Sequence, residues 1–156
     1  MPPRRPFVVR DSDVTSFGLA RGRGRLPYFR HGPGRVTKSS FSLLHVEDDS
    51  LWQTSVAGVL RGLPEVKSCE TVATATAALE HVRNFRPDLV LLDVVLTDGD
   101  GLQLAREFAA LRAPPQILLL SVRRDDAVLQ AAHEPHVAAL LWKTNDVLAR
   151  LPEAIR

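Results

Sequence analysis

From residue 41 onward the chain alternates two patterns of apolar and polar positions. Short apolar runs appear in "FSLLHV" (41–46), "DLVLLDVV" (88–95), "QILLLSV" (116–122) and "HVAALLW" (136–142), with a shorter strand-like stretch in "EVKSC" (65–69). Between and after them apolar positions recur at helical spacing in "LWQTSVAGVLRGL" (51–63), "TVATATAALEHVRNF" (71–85), "GLQLAREFAALR" (101–112), "DDAVLQAAH" (125–133) and "NDVLARLPEAI" (145–155). The first helix takes Ser50 or Asp49 as its N-cap, a "DGDG" turn starts the third, and Pro152 bends or shortens the fifth. The order is strand then helix, five times. Strands that read as unbroken apolar runs are buried on both faces, so the pattern predicts an α/β fold: a doubly wound (βα)5 sandwich around a five-stranded parallel sheet. Right-handed crossovers leave few topologies.

Residues 1–40 break this pattern. Pro, Gly and Arg punctuate "MPPRRP", "RGRGR" and "HGPGR", and no period of 2 or 3.6 survives. Charge divides at the same place. Residues 1–40 hold nine Lys/Arg against two Asp, a net of +7, whereas residues 41–156 carry a net of −5. The division predicts a basic, disordered extension on an acidic domain. The extension reads as a weak nucleic-acid or acidic-membrane contact, with Tyr28 and Phe29 as stacking groups, as a solvated tail without partner, or as a stretch preceding a later translation start near Val36.

Composition excludes several classes. The 45% apolar fraction is that of a globular protein. No apolar run approaches the roughly 18–20 residues of a membrane span, and the N-terminus has no secretory h-region. The single cysteine, Cys69, rules out an intrachain disulfide and fits a cytoplasmic setting; it reads as a packed strand residue.

In parallel sheets sites form beyond the carboxyl ends of the strands. Glu47, Asp48 and Asp49 follow the first run, Asp93 closes the third, Ser121 the fourth, and Lys143 follows the fifth. Carboxylates beside one ammonium and one hydroxyl suit a hard cation such as Mg²⁺, and they suit transfer of a phosphoryl group, whose oxygens need a cation and hydrogen-bond donors. Other candidates take structural roles. Asp98 and Asp100 read as turn and N-cap residues, and the full ligand spacing of a calcium loop is missing around them. His45 reads as a packed or edge histidine, His81, His133 and His136 as surface or loop groups, and Trp52 and Trp142 as packing residues.

The ordered set "VEDD", "LVLLDVVLTDGDGL", "LLLSV" and "LLWKT", with 28 residues from Asp93 to Ser121 and 22 from Ser121 to Lys143, resembles the receiver domain of two-component response regulators. The resemblance covers residues 41–156. It implies the flavodoxin-like strand order 2-1-3-4-5. It implies Asp93 as the phosphoacceptor, Asp48 as direct Mg²⁺ ligand, Glu47 as an acid holding the metal through water, and the Val95 carbonyl as a further ligand. It gives Lys143 and Ser121 the role of pairing with phosphoryl oxygens, and leaves Asp49 to cap a helix. The implied partner is a sensor histidine kinase or histidine phosphotransfer protein in the cytoplasm. With no output domain after the fifth helix, output is expected through protein–protein contact, phosphoryl relay, or homodimerisation on the face of the fourth helix, fifth strand and fifth helix.

The chain departs from the family at four places. Leu96 and Thr97 stand where Met-Pro is usual, Leu140 where an aromatic switch residue is usual, Thr144 where Pro follows the lysine, and Val122 where a small residue follows the hydroxyl. Two other readings compete: a receiver-fold interaction module that is never phosphorylated, and a hydrolase with an aspartyl nucleophile. The second generally needs another acid two residues after the nucleophile, and that position is Val95.

Overall fold

A computed structural model describes residues 40–156; the readings made for the basic N-terminal stretch lie outside the described residues. Five strands and five helices alternate: β1 (Phe41–Val46), α1 (Ser50–Arg61), β2 (Val66–Val72), α2 (Ala75–Phe85), β3 (Leu89–Asp93), α3 (Gly101–Ala109), β4 (Gln116–Ser121), α4 (Asp126–Ala131), β5 (Val137–Trp142) and α5 (Val147–Ile155). Between β3 and α3 a two-residue antiparallel ladder joins Val95–Leu96 to Gly99–Asp100. The five main strands form one parallel sheet in the order β2-β1-β3-β4-β5. This is the doubly wound order the sequence resemblance implied.

The apolar runs hide a strict alternation. Leu44, Val46, Val90, Leu92, Ile117 and Leu119 point to one face and pack with α2, α3 and α4 around the fully buried Phe108. Phe41, Leu43, Leu89, Leu91, Leu118 and Leu120 point to the other and pack with α1 and α5 through Val56, Leu60, Leu151 and Ile155. Both faces are covered, so the strand period of 2 cannot appear as apolar–polar alternation. Each of these leucines withdraws its side chain from water, worth about 1.5–3 kcal/mol.

Several boundaries differ from the pattern reading. β2 runs on to Val72, because Thr71 and Val72 pair with His45 and Val46 of the neighbouring strand β1. α2 therefore begins at Ala75, where the Thr74 hydroxyl accepts from the Ala77 N–H. α3 stops at Ala109, α4 spans 126–131 from its N-cap Asp125, and α5 begins at Val147. Pro152 lies within α5, and the helix continues past it to Ile155. Asp49 caps α1, its Oδ1 accepting from the Leu51 and Trp52 N–H groups at 2.9 and 3.0 Å. No helix among the described residues is long and apolar enough to cross a membrane.

Candidate functional site

The alternation that builds the core also aims the site. His45 on β1 lies opposite Leu91 on β3, so two residues further along both strands come Glu47 and Asp93. These positions continue the α1/α5 face of the sheet, as does Lys143, two residues beyond the buried Leu141 on β5. The Lys143 ammonium bridges the two acids, donating to Glu47 Oε2 at 2.6 Å and to Asp93 Oδ2 at 2.5 Å. Only 4% of the lysine side chain is exposed, and Glu47 is fully buried. One cation therefore ties the ends of β1, β3 and β5.

Charge in this pocket is unbalanced. Glu47, Asp48 and Asp93 each offer an oxygen within 4.8 Å of the others, against a single ammonium. Burial pushes the Glu47 carboxyl up to about 7; the Lys143 hydrogen bond pulls against that rise and the Asp93 charge adds to it. His45 sits beneath, fully buried between β2 and β3, so it is a packed and not an edge residue. Neither of its ring nitrogens has a hydrogen-bond partner. Burial, with the Lys143 charge, holds it at about 4, so it adds no positive charge near neutrality. Three close carboxylates short of counter-charge form a donor set that fits a hard divalent cation.

The loop after β3 carries the rest of the acidic wall. Asp93 Oδ1 accepts from the Val95 N–H at 3.0 Å. Asp48 Oδ2 accepts from the Thr97 N–H at 2.8 Å, which draws the acid at the end of β1 to the loop after β3. Gly101 starts α3 against this loop and its N–H donates to the Val94 carbonyl at 2.9 Å. A Cβ at Gly101 would fall 2.2 Å from the Asp93 carbonyl oxygen and 2.7 Å from Val94 Cα. Only a glycine lets the helix pass so close to the Asp93 backbone. Asp100 caps α3, accepting from the Leu102 N–H at 2.8 Å. Asp98 also caps a helix, but a distant one: its carboxylate accepts from the Ala75 and Thr76 N–H groups at the start of α2, and the Ala75 bond leads in lowering its pKa.

Ser121 is at the same end of the sheet but is otherwise engaged. Its hydroxyl donates to the Arg123 carbonyl at 2.8 Å and accepts from the Arg123 N–H at 2.9 Å. The Ser121 side chain is thus folded into its own loop. In that loop Arg124 lies over the Trp142 ring, 5.4 Å from its centroid. No cis peptide occurs among the described residues, so the bond after Lys143 is trans.

Sequence reasoning gathered Glu47, Asp48, Asp93 and Lys143 correctly at one end of the sheet. It missed what surrounds them: the Thr97 N–H on Asp48, the close approach at Gly101, the reach of Asp98 to α2, and Trp52. The ring of Trp52 packs on the α1/α5 core, in line with the packing role its sequence position suggests, but its face also lies 5.0 Å from Lys143 Nζ.

Comparison with known proteins places this geometry. The response regulator receiver domain model matches residues 43–156. Protein-glutamate methylesterase/protein-glutamine glutaminase 5 of Anaeromyxobacter dehalogenans is 28% identical over 120 residues, covering 77% of this chain and 31% of that protein. The transcriptional regulatory protein LiaR of Bacillus subtilis is 26% identical over 117 residues, covering 73% of this chain and 54% of LiaR. The chain thus spans about a third to a half of the length of these two relatives. A two-component response regulator of the LuxR family from Aurantimonas sp. shares the fold, with a TM-score of 0.67 at 22% identity over 75% of this chain and 83% of that one. With a family model that matches residues 43–156 and the sheet order 2-1-3-4-5 described above, the chain belongs to the response regulator receiver domain family.

Proposed function

We propose that the chain is a phosphoacceptor of two-component signalling in the cytoplasm, taking a phosphoryl group onto Asp93 from a histidine kinase or a histidine phosphotransfer protein. The observation that carries this reading is the Lys143 ammonium bridging Glu47 and Asp93 in a buried pocket beside Asp48. An Asp93 carboxylate oxygen attacks phosphorus in line. The new O–P bond forms as the donor's N–P bond breaks, and the electron pair leaves with the imidazole nitrogen. The Val95 N–H orients one carboxylate oxygen of Asp93. Lys143 exchanges its bond to Asp93 for one to a phosphoryl oxygen, and Ser121 gives up Arg123 to donate to another. Glu47, Asp48 and Asp93, with the Val95 carbonyl, are the groups to hold Mg²⁺, which when bound neutralises charge on the phosphoryl oxygens.

In this reading the chain catalyses only its own phosphorylation and dephosphorylation. The activities named for its relatives belong to longer proteins, of which the match covers 31% and 54%. Incubation with acetyl phosphate and Mg²⁺, followed by intact mass, tests the proposal. The expected result is a gain of one phosphoryl group that requires Mg²⁺ and is absent in Asp93→Ala. No gain, under conditions that label other receivers, leaves a receiver-fold interaction module instead.

A further inference from the structure

The Lys143 ammonium has three N–H groups, and two point to carboxylates. The face of the Trp52 indole lies on a further side of it, 5.0 Å away, within the roughly 6 Å over which a ring quadrupole attracts a cation. The indole is held in place. Its backbone N–H is fixed by the Asp49 cap at 3.0 Å, and the ring packs on the α1/α5 core. The contact joins α1 to the end of β5.

We infer that Trp52 is a positioning residue for Lys143, one that holds the ammonium at the pocket while its charged partners change; this rests on the phosphoacceptor reading above. Both carboxylates that grip the lysine are groups that the reaction alters: Asp93 becomes an acyl phosphate, and Glu47 belongs to the acidic wall that takes a cation. The ring neither titrates nor binds a hard cation. It attracts the ammonium equally before, during and after transfer. It therefore keeps the lysine from following Glu47, or from swinging to solvent, as the carboxylate bonds are exchanged.

Two measurements test this. The first is NMR of the Lys143 Cε methylene in the metal-free wild-type protein: a ring-current shift upfield, lost in Trp52→Leu and partly kept in Trp52→Phe, is expected. The second is the rate of phosphorylation by acetyl phosphate with Mg²⁺. Trp52→Leu keeps apolar bulk without a π face and should slow the rate about five- to tenfold, whereas Trp52→Phe, with a weaker ring, should restore most of it. A purely structural role predicts equal losses in Leu and Phe variants of equal stability, and that result overturns the inference, as does an unshifted Lys143 methylene. If the wild type shows the ring-current shift but takes no phosphoryl group, the phosphoacceptor reading fails and the seating of Lys143 by Trp52 stands.

Discussion

The end of the sheet divides into two regions that differ in readiness. Along β1, β3 and β5 the charged side chains already face one another: Lys143 bonds Glu47 and Asp93, and Asp48 is tied to the loop after β3. At the end of β4 the Ser121 hydroxyl both donates to and accepts from Arg123, within its own loop. The charged half is preassembled and the hydroxyl half is parked. The difference follows from the groups themselves. Buried carboxylates and an ammonium are too costly to leave apart, so they are paired in the resting fold. A neutral hydroxyl finds an adequate partner in any nearby peptide group, so it can wait there until a stronger acceptor appears.

The comparison breaks first if the preassembled half lacks its cation. Lys143→Met leaves two buried acids unpaired and should cost about 3 kcal/mol of stability near neutral pH, part of it recovered in Mg²⁺; urea titration with and without Mg²⁺ measures this, and a stability equal to wild type would mean that the bridge does not organise the site. Next is the backbone beneath it. Gly101→Ala pushes a methyl into the Asp93 carbonyl and should cost about 2–3 kcal/mol by overpacking, with slower phosphorylation of Asp93; a variant that melts like wild type would contradict the close approach.

A pH profile sharpens the comparison further. Glu47, raised to about 7, contributes stability that is full below its unfolded value near 4.5 and is lost as pH rises through 7. His45, lowered to about 4, contributes stability that is full above its unfolded value near 6.5 and is lost as pH falls through 4. Between about pH 4.5 and 6.5 the two slopes oppose one another. Glu47→Gln removes the first, so its stability relative to wild type should climb from pH 4.5 to 7; parallel profiles would remove Glu47 from the account. The smallest effect belongs to the parked half. Ser121→Ala should cost about 1 kcal/mol and leave the Lys143 bridge intact. Amide NMR should then show that the Arg123 signal no longer moves on phosphorylation, while the signals of the acidic pocket still do.

What the sequence made legible follows the same division. The five strands, their burial and the convergence of Glu47, Asp93 and Lys143 could be read because strand-end rules act on positions, and those positions are fixed by the apolar runs. The start of α2 could not be read from periodicity, since "TVATATAA" is Ala-rich through the boundary; the signals were the β-branched Thr71 and Val72 and the capping Thr74. Asp98 carries no local mark of its partner, because its bond to Ala75 spans 23 residues. Trp52 looks like any core aromatic in the sequence, and the lysine beneath its face comes from β5, the far end of the domain.

The Thr97 N–H donates to the Asp48 carboxylate. Receivers usually place proline at this position, and a proline has no N–H to offer. Proline stiffens a loop permanently, through its own ring. Here the stiffness is borrowed from a carboxylate, and it holds only while that carboxylate keeps a lone pair free for the loop. The same acid stands in the wall that suits a divalent cation. The tension in the loop after Asp93 is thereby made a function of the charge beside it: the site carries a tether whose grip is set electrically.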